Sequence, residues 1–216
     1  MIVTGSIEVK CSVCGTASTQ VIAKGVKKSG VPDIDFRPND EYRQGMRYWA
    51  MECPMCGYCN ATLDIKLNAD RSFLESDEYR KLGGIKSDDE IATKLIKRAV
   101  CDKKNGNFAD AVQSYMYASW VFDDNSNEEL ATECRKASIA VMDENSSTFE
   151  NDQNLQLLKA DLLRRSGEFE RVISEYSGRK FSSPLMQAIS DFQVKLAEKG
   201  DRSAHRADEI EGVRAK

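Results

Sequence analysis

The chain has almost no histidine and carries none of the common catalytic sequence motifs. Its 216 residues include one histidine, His205, which lies in a polar segment near the end of the sequence. Nucleophilic sites of the Cys–His or Ser–His–Asp kind need a histidine base beside the nucleophile, so this scarcity argues against them. The sequence also lacks GxGxxG, P-loop and GxSxG patterns. These absences predict a protein that is not an enzyme.

Long apolar runs are missing as well. No stretch of about 18 or more apolar residues occurs, so we expect no membrane-spanning helix. The first residues contain neither a basic cluster nor a long apolar segment, which argues against a secretory signal. Hydrophobic residues make up 41% of the chain and charged residues 31%, proportions typical of a globular protein. We therefore expect a cytoplasmic protein with no membrane partner.

Cysteine, in contrast, is well represented, and four of the seven cysteines form two CxxC motifs. The motifs are Cys11-Ser-Val-Cys14-Gly15 and Cys53-Pro-Met-Cys56-Gly57. Each motif places two thiols on one tight turn, and the glycine that follows permits the positive φ that such a turn needs. Two such turns facing each other supply the four sulfurs of a tetrahedral zinc site. In a reducing compartment this interpretation is favoured over a disulfide framework, and it predicts zinc ligands at Cys11, Cys14, Cys53 and Cys56.

Other interpretations of the cysteines stay open at this stage. Iron, as in rubredoxin, uses the same pair of turns but is less favoured than zinc. A catalytic zinc would need an open coordination position, and a redox switch would release the metal when the thiols are oxidised. Cys59 could act as a spare ligand, although packing beside the second turn is the favoured interpretation. Cys101 and Cys134 fall in helical segments and are predicted to be buried apolar side chains.

Residues 1–70 are predicted to form a zinc-ribbon domain. Alternating apolar and polar residues indicate short strands that enter and leave the two turns, over 7–11, 19–23, 47–52 and 61–67. Residues 24–30 are expected to be a loop, and Pro32 and Pro38 predict an extended segment between them. A domain of this size with few large aliphatic side chains builds only a small core, so a metal is the expected staple.

The remainder of the chain is predicted to be helical. Residues 71–86 are expected to form a short helix and a linker. Apolar residues then recur at helical spacing from 87 to 200, with a capping box at Ser87-Asp-Asp-Glu90 and an N-cap at Ser183. Residues 201–216 are expected to be a charged tail, either an exposed helix or partly disordered. The predicted fold class is therefore mainly α, with a small β zinc ribbon at the N-terminus.

Two of the helical segments share a finer pattern. One contains Gly106-Asn-Phe108 and the other Gly167-Glu-Phe169, each with small residues and a tyrosine at matching offsets. The pattern resembles the helix-turn-helix unit of tetratricopeptide repeats. It predicts a tetratricopeptide-like helical array over 87–200, with a plain helical bundle as the alternative.

Charged and aromatic residues give further expectations. The chain carries a net charge of −4, and residues 1–66 hold eight basic against seven acidic side chains before any metal is counted. A near-neutral ribbon is poor for binding phosphate. Arg164 and Arg165 are predicted to lie on a solvated surface. An aromatic cluster is predicted to be core, and it consists of Tyr115, Tyr117 and Trp120.

Taken together, the two parts resemble a bacterial family known only as a domain of unknown function, in which paired CxxC turns precede tetratricopeptide-like helices. The residues that carry the resemblance are Cys11-Ser-Val-Cys14-Gly15, Asp33-Ile-Asp-Phe-Arg-Pro38 and Tyr48-Trp-Ala-Met-Glu-Cys53-Pro-Met-Cys56-Gly57-Tyr58. The resemblance implies that Cys59 is not a ligand, and it implies metal ligands at Cys11, Cys14, Cys53 and Cys56. It supplies no activity.

The main functional hypothesis is a cytoplasmic adaptor in which zinc holds the ribbon and the helices bind a protein or peptide. An alternative is nucleic-acid binding by the ribbon, which its near-neutral charge disfavours, with contacts from Lys24, Lys27, Lys28, Tyr48 and Trp49. A second alternative is a thiol-based redox sensor or an iron electron carrier. The sequence carries no signal for an oligomeric state.

Overall fold

The computed structural model describes residues 2–26, 30–38 and 43–210. These residues fall into two compact units. Unit 1 takes its described residues from Met1–Lys27 and Asp40–Val141, and unit 2 takes them from Lys28–Asn39 and Met142–Lys216. The division expected from the sequence, with boundaries near residues 70, 86 and 200, stays a prediction.

Unit 1 begins with a two-stranded antiparallel sheet. Strand β1 (Ile2–Lys10) pairs with β2 (Ala17–Val26), and the register brings Lys10 opposite Ala17 at the first CxxC turn. Successive side chains of a strand point to opposite faces, and this alternation buries Val9 between two exposed neighbours. The sheet is longer than the predicted strands over 7–11 and 19–23. Pairing continues outward as far as Ile2 opposite Val26.

The second CxxC turn lies between β3 (Met51–Glu52) and β4 (Cys59–Asn60), which also pair antiparallel. Strand β3 is much shorter than expected, and β4 lies just before the predicted strand over 61–67. Gln44–Tyr48 forms a 3-10 helix, so the strand predicted over 47–52 exists only at its end.

The strand predicted over 61–67 is wrong, because this stretch is a series of turns. The Asn60 side chain accepts a hydrogen bond of 2.7 Å from the Ala61 N–H, and the Thr62 hydroxyl donates to the Asp64 carboxylate at 2.7 Å. Short polar side chains that bond to nearby groups offer the chain an alternative to strand pairing.

The predictions of a loop over 24–30 and of an extended segment between Pro32 and Pro38 are also corrected. Residues 24–26 continue β2, and residues 27–29 lie outside the described part of the chain. The segment between Pro32 and Pro38 is not extended throughout. It contains a turn in which the Phe36 N–H donates to the Asp33 carbonyl at 2.9 Å.

The helical part of unit 1 starts with short 3-10 turns and one α-helical turn, where the sequence predicted a short helix and a linker. The α-helices are α1 (Asp77–Arg80), α2 (Glu90–Asn105), α3 (Phe108–Asp124) and α4 (Glu128–Glu144), the last of which continues past the unit boundary at residue 141. The N-cap of α2 is Asp89, whose carboxylate accepts from the Ala92 N–H at 2.8 Å. The predicted capping role of Ser87 is therefore wrong, and its hydroxyl instead accepts from the Asp89 N–H at 3.2 Å.

Helices α2 and α3 form a tightly packed hairpin. Gly106 ends α2 in the left-handed conformation, with a φ of 79°, which a residue with a side chain adopts only at a cost. Ala99, Ala111 and Ala118 are fully buried, and their small side chains permit close approach of the two helices.

The ribbon packs directly on α2 within unit 1. The Arg98 guanidinium donates to the Trp49 carbonyl at 2.8 Å, and the Lys97 ammonium forms an ion pair with the Glu52 carboxylate. At the end of the helix, the Asn105 amide donates to the Lys66 carbonyl at 3.2 Å. The segments on both sides of the second CxxC turn are thus braced along one helix.

Unit 2 contains the remaining helices, α5 (Ser146–Phe149), α6 (Gln153–Arg165), α7 (Phe169–Tyr176) and α8 (Pro184–Glu198). The Asp152 carboxylate caps α6 by accepting from the N–H groups of Asn154 and Leu155. The predicted N-cap at Ser183 is confirmed, since its hydroxyl accepts from the Met186 N–H at 3.2 Å.

The apolar core of unit 2 joins three regions that are far apart in the sequence. Its buried members are Ile34, Leu157, Ile189, Leu196 and Ile210. The backbone of the early segment is tied to the tail, since the Ile34 N–H donates to the His205 carbonyl at 2.9 Å. Most side chains of 201–210 are exposed, but the chain forms a 3-10 turn at Ala207–Glu209 and Ile210 enters the core, while 211–216 lie outside the described residues.

Unit 2 also buries charged side chains that the sequence placed on the surface. Arg164 is fully buried and Arg165 is 7% exposed, which overturns the prediction of a solvated pair. The Arg164 guanidinium donates to the Gln193 side chain at 2.6 Å and to the Asp161 carboxylate at 2.8 Å. Arg165 pairs with Asp35 at 3.4 Å. A buried carboxylate lies beside each guanidinium, Asp161 beside Arg164 and Asp35 beside Arg165, and this pairing explains why these arginines tolerate burial.

The described chain is mainly helical with a small antiparallel sheet at its N-terminus, as the sequence predicted. The helix pairs α2–α3 and α6–α7 occupy the two segments that share the glycine pattern. A tetratricopeptide-like array stays a prediction.

Candidate metal centre

The four cysteines of the two CxxC motifs come together in one cluster. Their sulfur atoms all lie within 4.8 Å of one another. Cys11 Sγ is 3.7 Å from Cys56 Sγ, and Cys14 Sγ is 3.6 Å from Cys53 Sγ, so each short distance joins one motif to the other. A tetrahedron with Zn–S bonds of about 2.3 Å has edges of about 3.8 Å. The sulfurs therefore have the spacing that a single tetrahedral ion needs, and this group could hold a metal.

The two CxxC turns have the same backbone geometry. In each, the N–H of the first cysteine donates to the carbonyl five residues later, and the glycine N–H donates back to the carbonyl of the first cysteine, at 2.8–2.9 Å. Gly15 and Gly57 have φ values of 75° and 72°. The repeated hydrogen-bond pattern fixes the two sulfurs of each turn on the same side, which is the condition for two turns to share one ion.

A third segment braces the two turns against each other. The Ser12 backbone N–H donates to the Leu63 carbonyl at 2.8 Å, and its hydroxyl donates to the Ile65 carbonyl at 2.6 Å. The fully buried Tyr58, just after the second turn, donates its hydroxyl to the same Ile65 carbonyl at 2.8 Å. The turns of residues 61–67 thus form a bridge between the motifs, a role that period-two patterning did not indicate.

Burial and hydrogen bonding set the thiol acidities of the cluster in opposite directions. Cys11 and Cys53 are 1% exposed, whereas Cys14 and Cys56 are half-buried. Hydrogen bonding with the Thr16 hydroxyl, 3.3 Å from Cys14 Sγ, lowers the pKa of that thiol to about 6. Burial raises the pKa of Cys11 and the pKa of Cys56. Thr16 was not singled out from the sequence, and its position two residues after the second cysteine is the only signal for it.

The remaining cysteines lie outside the cluster. Cys59 is fully buried, and its thiol donates to the Lys94 carbonyl at 3.1 Å, which confirms the packed interpretation over the spare ligand. Cys101 and Cys134 are buried in α2 and α4, as predicted. Burial raises the pKa of all three thiols, so they are kept in the neutral form.

A cavity of about 370 Å³ opens beside the second CxxC turn. It contains three basic side chains and one acidic side chain, Glu75, and its lining residues are Met55, Cys56, Gly57, Arg71, Leu74, Glu75, Tyr79, Arg80 and Lys97. Lys97 is neutralised by Glu52, whereas Arg71 and Arg80 form no ion pair with any residue that the structure describes.

The nucleic-acid contacts suggested by the sequence do not form a single described surface. Lys24 is exposed, Tyr48 is half-buried, and Lys27 and Lys28 lie outside the described residues. The Trp49 ring is packed against Tyr117, with ring centroids 4.4 Å apart. The predicted aromatic core is formed, since Tyr115 and Trp120 are buried and Tyr117 contacts the Trp120 ring at 5.1 Å.

Comparisons with known proteins give no match: no family model, no curated protein and no solved structure is similar to this chain. None of the helices in the described part of the chain combines the length and the apolar composition that a membrane span requires. The four-sulfur cluster and its surroundings are therefore the features that bear on function.

Proposed function

We propose that this chain is a zinc-binding adaptor in which a structural zinc ion holds unit 1 and the helices bind a protein partner. The observation that supports the metal is the set of four sulfurs within 4.8 Å of one another on two matched turns. Thiolate ligands in a tetrahedral arrangement are typical of zinc, with iron as the less favoured occupant. The ligands would be Cys11, Cys14, Cys53 and Cys56.

The donor set supports a structural role for the ion. Catalytic zinc sites keep a coordination position for water or substrate, whereas four protein sulfurs fill all four positions. When bound, zinc supplies folding free energy, about 10–16 kcal/mol in small zinc domains. The ribbon has little core of its own, because β3 and β4 contain two residues each and the β1–β2 sheet has two strands. Isolated two-stranded sheets are marginally stable, so a metal is the natural stabiliser.

The adaptor role is supported by the helical architecture. Two hairpins, α2–α3 and α6–α7, each turn at a glycine in the left-handed region, Gly106 with φ 79° and Gly167 with φ 83°. Helical hairpins present side-chain faces that bind peptides or helices of other proteins. We expect recognition to use these helices, with the metal centre holding the ribbon and the first hairpin as one unit.

Elemental analysis of the purified protein tests the metal. We expect one zinc per chain, and we expect Cys11→Ser or Cys53→Ser to remove it. Cys59→Ser is the matched control, since Cys59 is buried three residues after Cys56 but lies outside the cluster. Zinc that survives loss of a cluster cysteine, or iron in the wild type, would contradict the assignment.

Affinity capture from a native lysate, followed by binding of the purified components, tests the adaptor role. The expected result is a protein that binds with fixed stoichiometry and is retained by the Cys59→Ser control. Absence of any partner above background, together with turnover of a small molecule by the purified chain, would overturn this role.

The cavity beside the second turn favours a second candidate function, binding of nucleic-acid phosphate. Arg71 and Arg80 face the cavity without a carboxylate partner among the described residues, and positive side chains in a groove attract a phosphate backbone. We expect any such binding to weaken steeply with salt and to be lost in an Arg71→Gln/Arg80→Gln variant. Absence of binding to single-stranded oligonucleotides at low salt would dismiss this candidate.

A further inference from the structure

The segment 30–38 of unit 2 has an inverted burial pattern. Its charged residues Asp35 and Arg37 are 3% and 6% exposed, whereas Phe36 between them is 47% exposed. Pro32 is also exposed. Buried charge beside an exposed aromatic ring is the reverse of the usual arrangement, and such reversals are more informative than an isolated surface leucine.

The backbone at Phe36 is strained. Its φ is 66°, a value that bulky L-residues rarely adopt. Leu82 has a similar φ of 54°, but its side chain is 7% exposed and gains burial in the core. Phe36 gains no comparable burial, so neither backbone preference nor hydrophobic burial explains an aromatic residue at this position. Strained residues that folding does not require are candidates for function.

The turn that carries Phe36 is held firmly from both sides. The Phe36 N–H donates to the Asp33 carbonyl at 2.9 Å, and the Asp33 N–H donates to the Arg37 carbonyl at 3.0 Å. Asp35 pairs with Arg165 of α6, and Ile34 lies in the apolar core of the unit. The ring is therefore presented from a rigid base, which lowers the entropy that binding has to overcome.

We propose that Phe36 is an anchor residue that inserts into an apolar pocket of a protein partner. This inference rests on the proposed adaptor function and names its contact in unit 2. The partner is expected to offer an uncharged cleft wide enough for one aromatic ring, because the exposed residues of the segment are Gly30, Pro32 and Phe36 and its two flanking charges point into the core. Aromatic side chains in such positions dominate the energy of many interfaces.

Site-specific photocrosslinking tests this contact directly. The photoreactive phenylalanine analogue p-benzoylphenylalanine is placed at position 36 of the full chain in cells, and at position 185 as the matched control. Leu185 is 49% exposed and belongs to the same unit. We expect one discrete protein crosslinked at position 36 and not at 185. Equal crosslinking at both positions, no crosslink at 36, or a crosslink to a second copy of this chain or to lipid would overturn the proposal.

Binding and melting measurements on two variants complete the test. We expect Phe36→Ser to weaken binding of the crosslinked protein about 30-fold, the effect of truncating an interface anchor, and Leu185→Ser to leave it unchanged. Phe36→Asn relieves the strained φ and should not lower the melting temperature. A marked fall in melting temperature would show that Phe36 packs the unit, and would overturn the proposal. If Phe36→Ser leaves binding of a protein partner unchanged, only this contact fails. If neither the wild type nor any variant binds a protein, the adaptor function fails.

Discussion

Unit 1 and unit 2 both join chain segments that are distant in sequence, but they do so with different chemistry. In unit 1, Cys11 and Cys56 are 45 positions apart and their sulfurs meet at 3.7 Å. In unit 2, Asp35 and Arg165 are 130 positions apart and meet as a buried ion pair. We propose that an ion from outside the chain holds the first contact, whereas the second uses charges that the chain itself supplies.

This difference predicts which changes should destabilise each unit. Thiol–thiol contacts alone are weak, so if zinc occupies the cluster as proposed, we expect the stability of unit 1 to depend on metal concentration and on the thiolate state. The buried ions of unit 2 lost their hydration on folding and depend on one another instead. Removing one partner leaves the other as an uncompensated buried charge.

The largest expected effect comes from removing the metal. A zinc chelator should abolish hydrogen-exchange protection in β1, β2 and residues 53–60, because zinc binding in such domains is worth about 10–16 kcal/mol. Protection in α6 and α8 of unit 2 should remain. Added zinc should restore the unit 1 protection. Equal loss of protection in both units, or unchanged protection in unit 1, would contradict the claim that a metal stabilises unit 1 alone.

The next largest effect is expected from Arg164→Met. This change keeps apolar volume but leaves the Asp161 carboxylate, 1% exposed, without its guanidinium partner. Breaking a buried ion pair from one side costs about 3–5 kcal/mol, which denaturant unfolding of unit 2 should show. Arg206→Met is the matched control, since the Arg206 side chain is 56% exposed and its pairing with Asp208 lies at the surface. A loss of stability for Arg164→Met no larger than that of the control would contradict a stabilising role for the Arg164–Asp161 pair.

The pH dependence of stability gives a third test. Burial, helped by the nearby Asp161 charge, raises the pKa of Asp35 from 3.8 to about 6, against the opposing attraction of Arg165. The Arg37 N–H also donates to this carboxylate, and Asp33 adds a weaker repulsion. Between about pH 4 and pH 6 the folded state therefore binds more protons than the unfolded state, so the stability contribution of Asp35 falls as pH rises.

We expect the stability of the wild type relative to Asp35→Asn to decrease by about 1–3 kcal/mol between pH 4 and pH 7. Comparing the two proteins at each pH removes the titration of the thiols, which both share. Asp208→Asn at the surface serves as control. A relative stability that increases with pH would mean that attraction to Arg165 outweighs burial, and would reverse the sign assigned to this pair.

The smallest effect concerns the turns of the metal centre. Gly57→Ala should cost about 1–2 kcal/mol, because a side chain is unfavourable at the φ of 72°. Space is not the problem, since a Cβ at Gly57 would lie 4.0 Å from the nearest side-chain atom, an oxygen of Glu52. Thermal melts of the zinc-loaded protein should show this cost, and Gly25→Ala in β2, where a Cβ would meet no atom within 4 Å, should show little. Equal effects of the two changes would contradict the role of the left-handed turn.

The same contrast explains what the sequence could and could not predict. The cysteine cluster was foreseeable because each CxxC–Gly motif carries its own geometry within five residues. The buried charges were not, because Arg164 and Arg165 follow a helical stripe and look like an ordinary polar helix end. Their partners include Asp35, which comes from another region of the chain, and only tertiary structure brings them together.

Local chemistry also misled the prediction in smaller ways. The alternating pattern over 61–67 suggested a strand, but the Asn60 side chain accepts a hydrogen bond from the Ala61 N–H and the Thr62 hydroxyl donates one to Asp64, and these bonds favour turns instead. The predicted helix start at Ser87 was two residues early, because Asp89 is an equally good N-cap and takes that role. The tail was expected to be exposed because most of its residues are charged or polar. Ile210, a single apolar residue among them, completes the core of unit 2.

The most direct test of the central claim is X-ray absorption spectroscopy of the purified protein at the zinc edge. We expect one zinc per chain with four sulfur ligands at about 2.3 Å and no nitrogen or oxygen neighbour. A spectrum with fewer than four sulfurs, or the absence of zinc, would contradict it.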